Sequence, residues 1–358
     1  MQTKPVKYDL TTVDRPRLDY AIDACDFLLE HLTPEATYEA DERWGPEGEL
    51  YLVEVSWVLL EAYRITSQRK YLKGAIAILN RLQRTQMPAG GWADNLGPDG
   101  LEFKATEEER RVTREREELP IIGAVAYAVA KYRRLTGEDR YNDMTGHALA
   151  HLLAQWDPES GSFLEQTGEH FIGMRSTPNA YQAFFLLGLS AWKPWCASLE
   201  PIIPKLTEHI RRNFESYDDH TMPLMRVFHM ALLMAHLPLD YVTREIKPRI
   251  DRLVESPVFK CAGITGGYGH RDSYRGIVNT EANVRGSGAV AIAMRFYDLT
   301  TGTRTYSDSD AYRDVTSWMD SMKASRGYYE YQTQHDLKRK GRGSPGQYIS
   351  CWWIFGAM

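Results

Sequence analysis

The sequence has little cysteine. Four residues in 358, Cys25, Cys196, Cys261 and Cys351, lie at long and irregular spacings. No CxxC, CxH or HExxH pattern occurs, which argues against a disulfide framework and a structural zinc site; no metal and no other cofactor is expected. An excess of base is also missing. Lys and Arg total 43 against 48 Asp and Glu, a formal net charge of −5, so no overall basic surface exists for nucleic acid. Long apolar runs are absent, and at a mean hydropathy of −0.45 no transmembrane segment is expected. The N-terminus, MQTKPVKYDL, carries no apolar signal core. This places the protein in the cytoplasm, or in a secreted or periplasmic setting if a signal peptide has been removed. What remains is ordinary globular material: 43% hydrophobic and 11% aromatic residues, which excludes disorder as the main state.

The informative presence is a repeat. Ile65-Thr66-Ser67-Gln68-Arg69-Lys70-Tyr71 matches Leu135-Thr136-Gly137-Glu138-Asp139-Arg140-Tyr141, and Leu299 to Tyr306 repeats it with one insertion. An apolar helical stretch precedes each copy and an amphipathic one follows. Then come a glycine and an aromatic: Gly90-Gly91-Trp92, Gly161-Ser162-Phe163 and Gly327-Tyr328-Tyr329. The motif tyrosine and the corner aromatic lie 21, 22 and 23 residues apart. A fixed period of helix, tight turn, helix and glycine corner is the pattern of stacked helical hairpins.

Periodicity predicts about twelve helices, near 15–32, 51–67, 69–86, 119–136, 139–156, 179–193, 197–214, 222–237, 242–256, 279–299, 310–324 and 345–358. Some are apolar nearly all round, as in Ile121 to Ala126, Ala183 to Gly188 and Cys351 to Phe355, and belong inside. The others carry one apolar stripe and belong outside. The two kinds alternate, the first outer and the last inner. Parity therefore predicts an all-α, single-domain (α/α)6 toroid over 1–358, with the C-terminal helix closing against the N-terminal one. An open arc of five and a half hairpins is the alternative. Inner-to-outer connections are short and outer-to-inner ones mostly long, so the long loops gather at one mouth, where loops carry function. The segment 102–118, with seven acids and five bases, reads as a solvated charged loop or a lid over that mouth.

Leu-Thr-Gly-x-x-x-Tyr between an apolar and an amphipathic helix, followed by Gly-x-aromatic, resembles the six-hairpin and α/α-toroid superfamilies. These include α/α-barrel polysaccharide lyases, six-hairpin glycosidases, sugar epimerases and the terpene cyclase or prenyltransferase relatives. Gln86-x-x-x-Gly90-Gly91-Trp92 and Gln155-x5-Gly161-Ser162-Phe163 resemble the QW repeat of the cyclases, which implies a structural clamp. The Asp-x-Asp-Asp acid of those enzymes has no counterpart beyond Asp218-Asp219-His220. No cysteine sits beside a histidine as in zinc prenyltransferases. The resemblance implies a fold and leaves the chemistry to the mouth residues.

Those residues are rich in rings and bases. Trp44, Trp92, Tyr268 and Tyr329 could stack on pyranose rings; Trp92, Phe163, Tyr268 and Tyr329 could instead plug hairpin corners. Residues 260–285 carry a net +2 and 326–342 a net +3, which suits an anionic substrate, an acidic oligo- or polysaccharide. β-Elimination from a uronic acid needs a group that neutralises the carboxylate, a base and an acid. The resemblance to metal-free lyases implies Asn or Arg for the first and His and Tyr for the others. Two sets fit: His170, Arg175, Asn179 and Tyr181, and His270, Arg271, Tyr274, Arg275 and Asn279. His270 or Tyr274 would be the base, with Arg271, Arg275 and Asn283 near the carboxylate and Arg285 beside them. The alternative is hydrolysis by two carboxylates from Asp94, Asp218, Asp219, Glu281 and Glu330. An isoprenoid cyclase-like toroid is a further alternative.

Overall fold

The computed structural model describes residues 15–38, 49–92, 119–163, 182–214, 223–255, 260–261, 263–268, 282 and 284–322. Among them, outer helices α1 (Arg15–Glu30), α3 (Arg69–Thr85), α5 (Asn142–Leu153), α7 (Ile202–Asn213), α9 and α11 (Asp310–Ser321) alternate with inner helices. The inner ones are α2 (Glu49–Thr66), α4 (Pro120–Thr136), α6 (Gln182–Trp192), α8 (Pro223–His236) and α10 (Val284–Thr301). In α9, Leu239–Tyr241, a π-helical Val242–Ile246 and Lys247–Glu255 run on as one. The sixth inner helix expected at 345–358, the closure it would make, and the charged segment 102–118 lie outside the described residues.

The division into layers follows from side-chain chemistry. Helix α4 buries eleven of its 17 residues, and α3, with the same length, buries six along one stripe. Neighbouring inner helices run parallel. Between α2 and α4, Trp57 Nε1 donates to the Ala124 carbonyl at 3.2 Å, and further along Lys131 pairs with Glu61. Between α4 and α6, Gly123 meets Phe184, and further along Arg134 donates to the Ala191 carbonyl at 2.7 Å. Between α6 and α8, the rings of Phe184 and Phe228 pack at 4.9 Å, and Ser190 lies 3.0 Å from His236. Each step rises in number on both helices. The α4–α6 contact is backbone on backbone: a Cβ at Gly188 would lie 2.4 Å from the Gly123 carbonyl oxygen, so no larger residue fits.

The repeat is the stitching between hairpins. At its turn, Thr66, Thr136 and Thr301 return their hydroxyls to the carbonyls of Ala62, Tyr132 and Tyr297, four residues back. Ser67, Gly137 and Gly302 then take the left-handed conformation that ends a helix. The motif tyrosine reaches back to the preceding outer helix. Tyr71 donates to Asp26 Oδ1 at 2.8 Å, Tyr141 to Asn80 Oδ1 at 2.8 Å, and Tyr306 to Asp251 Oδ1 at 2.5 Å. Burial and the acceptor carboxylates push the Tyr71 and Tyr306 phenols well up, so both stay protonated donors. The QW-like glutamine is a clamp as expected: Gln86 Nε2 donates to the Gly90 and Met144 carbonyls at 2.8 and 3.0 Å.

Two local expectations are corrected. The helix expected to run to 156 ends at Leu153, and Trp156–Asp157 pairs with Ser162–Phe163 as a two-stranded hairpin. Pro158 follows, and Asp157 accepts the Glu159 and Ser160 amides, turning the chain. The helix expected from 197 begins at Ile202, after 3-10 turns at Lys193–Trp195 and Ala197–Leu199. Pro194 and Pro201 withhold amide donors there and break the run.

At the short-turn end, the α2–α4 seam carries a charged cluster. Glu61 Oε1 accepts from both Nε and Nη2 of Arg64, and Oε2 pairs with Lys131, whose side chain is 13% exposed. Burial pushes the Glu61 carboxyl up, but Lys131 and Arg64 outweigh it and hold it below the usual carboxylate range.

Two outcomes are expected from this stitching. A serine in the left-handed region is strained, and a glycine is not. Ser67→Gly should stabilise the protein by about 1 kcal/mol. Gly137→Ala, where a Cβ meets no atom within 4 Å, should destabilise it by about 1 kcal/mol through backbone strain alone; urea midpoints check both. Glu61 contributes its full stability above the unfolded carboxyl value, about 4.3, and loses it as pH falls through the lower folded value. Glu61→Gln should therefore cost stability at pH 7, where Lys131 loses its carboxylate, and flatten the acid limb of a stability–pH curve.

Candidate functional site

Parallel inner helices give the ring two unlike rims. Every described inner helix begins on one rim and ends on the other. The long connections 31–48, 86–119, 154–181 and 256–283, with the shorter 214–222, therefore all enter at the rim where inner helices begin. The turns at 67–68, 137–141, 193–201, 237–238 and 302–309 lie on the opposite rim. The mouth predicted from loop lengths is present in the topology, and the amide-bearing starts of five helices face it.

The described inner helices bury three carboxyl or imidazole side chains, Glu54, His229 and Asp298. Asp298 on α10 accepts the Tyr306 and Ser307 amides at the short turn, which leaves Glu54 and His229, both passed over by sequence patterning, toward the mouth. Glu54 on α2 is 1% exposed and His229 on α8 is 0% exposed. Glu54 lies two turns before Glu61 on the same stripe of α2, the stripe that meets α4. His229 lies two turns before His236 on the stripe of α8 that meets α6. Both therefore stand on the mouth side of the short-turn contacts, on the two helices flanking the tight α4–α6 pair. The signal was present as a lone ionisable residue in an apolar run: Leu52-Val53-Glu54-Val55 and Val227-Phe228-His229-Met230. Such a group stays buried only with polar company.

Two further buried polar residues fasten the ends of the long loops. Gln182, the first residue of α6, accepts the Phe163 amide at 3.1 Å and donates to its carbonyl at 2.9 Å. Ser287 in α10 accepts the Tyr268 amide at 2.9 Å. Each side chain takes the place of a missing strand partner, so the chain leaves and rejoins the ring at one point.

Of the residues singled out from the sequence, Trp92 and Tyr268 are in the described part. Trp92 is 0% exposed and donates Nε1 to the Leu82 carbonyl at 2.8 Å. Tyr268 is 2% exposed and donates its hydroxyl to the Val254 carbonyl at 2.9 Å. Tyr38 does the same with Leu28 at 3.1 Å, and Phe163 packs against Phe185 at 5.1 Å. These are corner plugs: each ring closes the bend after an outer helix, and Trp92, Tyr268 and Tyr38 tie their polar atoms to that helix's last turns. Arg285 lies in the first turn of α10. Trp44, Asp94, His170, Arg175, Asn179, Tyr181, Asp218, Asp219, His270, Arg271, Tyr274, Arg275, Asn279, Glu281, Asn283, Tyr329 and Glu330 lie outside the described residues. Among the described residues, no three His, Cys, Asp or Glu side chains come together as a metal site, Cys25, Cys196 and Cys261 are unbridged, and no helix is long and apolar enough to cross a membrane.

No protein-family model and no curated protein matches the sequence. Solved structures do match the fold. A D-mannose isomerase superposes with a TM-score of 0.74 at 13% identity, over 98% of this chain and 98% of its own. Cellobiose 2-epimerase from Bacillus thermoamylovorans B4167 superposes with a TM-score of 0.72 at 12% identity, over 96% and 99%. A polysaccharide lyase superposes with a TM-score of 0.55 at 14% identity, over 94% of this chain and 52% of its own. The alternating layers, the parallel inner helices and these superpositions together establish the (α/α)6 toroid fold for this chain.

Proposed function

We propose that the protein is a carbohydrate-active enzyme whose reaction begins by removing a proton from the carbon next to a carbonyl. The first reading is interconversion of reducing sugars at C1 and C2. The observation that carries it is His229, an imidazole fully buried on an inner helix of a ring that superposes along its whole length on an isomerase and an epimerase. On an opened sugar, the imidazole takes the C2 proton and leaves an enediolate. The proton returned to C1 gives the ketose; returned to the opposite face of C2, it gives the epimer. Glu54 supplies a carboxyl on the same wall to hold or move a hydroxyl proton.

A second reading shares the first step. Removal of the proton next to a uronic acid carboxylate, followed by loss of the C4 oxygen, is β-elimination from an acidic saccharide. The base-rich segments 260–285 and 326–342 favour it, with His270 or Tyr274 as base and Arg271, Arg275 and Asn283 at the carboxylate. In both readings the substrate enters from the long-loop rim.

Incubation with mannose, cellobiose and uronic acid polymers in D2O separates the outcomes by NMR. The first reading predicts deuterium at C2 or C1 of a small reducing sugar, with new ketose or epimer. His229→Asn should lower that rate by about 10²–10⁴ while leaving the thermal unfolding midpoint near wild type. A new conjugated double bond on the uronic polymers supports the second reading. New reducing ends with no deuterium at carbon contradict both and point to the two-carboxylate hydrolysis.

A further inference from the structure

The short-turn rim, on the far side of the ring from the mouth, carries a second group of reactive side chains. Ser190, on the last turn of α6, lies 3.0 Å from Nε2 of His236, the last residue of α8. His31 and His209 turn Nδ1 to the backbone carbonyls of Phe27 and Ser160, contacts that tie a helix or a corner. His236 instead meets a hydroxyl, on a face that solvent reaches: the histidine is exposed and the serine half-buried. Partial burial first, and the Lys193 ammonium second, hold the imidazole below its ordinary value. It is uncharged at neutral pH, and in the tautomer with the proton on Nδ1 its Nε2 accepts the serine proton. Positive charge lies alongside. Lys193 follows Ser190 by three residues, and Arg134 reaches across from α4 to the carbonyl of Ala191, the next residue.

We propose that Ser190 and His236 form a nucleophile–base pair that hydrolyses small carboxylic esters. Ser190 Oγ bonds to the ester carbonyl carbon while its proton passes to His236 Nε2. The oxyanion so formed would draw on Lys193, which also pairs with Glu200 at 3.1 Å, and on Arg134, held at the Ala191 carbonyl. The carbonyl re-forms as the bond to the alcohol oxygen breaks, and His236 returns the proton to that oxygen. Water then repeats the sequence on the acyl-serine: its proton goes to His236, its oxygen bonds to the carbonyl carbon, and Ser190 leaves with the proton. The balance is ester and water to acid and alcohol. Among the described residues no carboxylate hydrogen-bonds to His236, so the imidazolium gains no anionic support. That restricts the pair to esters, whose leaving groups depart more readily than amines. The proposal does not depend on the saccharide reading, because it concerns the opposite rim.

A fluorophosphonate probe, which bonds to activated serine hydroxyls, tests it on the full chain. Mass spectrometry should find one adduct per chain, on Ser190. Ser190→Ala should abolish it, and His236→Gln should slow labelling by about 100-fold or more. p-Nitrophenyl acetate should be hydrolysed by the wild type and not by Ser190→Ala. Absence of an adduct on the wild-type protein overturns the proposal without recourse to variants. So does an adduct on another serine, or equal labelling of His236→Gln with an unchanged unfolding midpoint.

Discussion

Each hairpin of this protein pairs an amphipathic helix with one that is apolar nearly all round, and the apolar helix cannot be covered by its own partner. It needs an inner helix on either side. That requirement sets the parallel run of α2, α4, α6 and α8, and the closest approach within it is the backbone contact of Gly123 with Phe184 and of Gly188 with Gly123. Once inner helices are parallel, loop lengths decide which rim is which. The functional face is a consequence of how apolar surface is buried, and no side chain at the mouth is needed to create it.

The polar groups of the ring are distributed accordingly. At the short-turn end, threonine caps, left-handed turn residues and the tyrosines that clasp Asp26, Asn80 and Asp251 hold neighbouring hairpins in register. The Glu61, Arg64 and Lys131 cluster fills the end of the α2–α4 seam. At the mouth end, the polar side chains of Gln182 and Ser287 are spent on the backbones of Phe163 and Tyr268, which anchors long loops on a rigid frame. A rigid ring with anchored loops is the arrangement in which a buried imidazole or carboxyl can be positioned within the tolerance that proton transfer demands.

Much of this was legible in the sequence because stitching is periodic. The threonine, turn residue and tyrosine recur at fixed offsets, since each copy performs the same task between equivalent helices, and the glycine corners recur for the same reason. Parity then yields the ring. Exceptions arose where local chemistry departs from the period: the Asp157-Pro158 turn, which ends α5 early, and Pro194 and Pro201, which break the start of α7. The corner aromatics were legible as positions, yet a ring that plugs a bend and a ring that stacks on a sugar look alike in sequence; the bonds from Trp92 to Leu82 and from Tyr268 to Val254 separate the two. Glu54 and His229 were not legible in the same way, because a single ionisable residue in an apolar helix carries no period and no neighbouring motif; only their burial sets them apart.

Saccharide is expected to bind where the inner helices begin. Hydrogen–deuterium exchange of the protein with and without a turned-over sugar tests it most directly. Protection is expected in peptides spanning the starts and middles of inner helices, 49–57, 119–126 and 223–230, with the short turns at 137–141, 193–201 and 237–238 unchanged. Protection confined to those short turns would contradict it, because the ligand would then occupy the opposite rim.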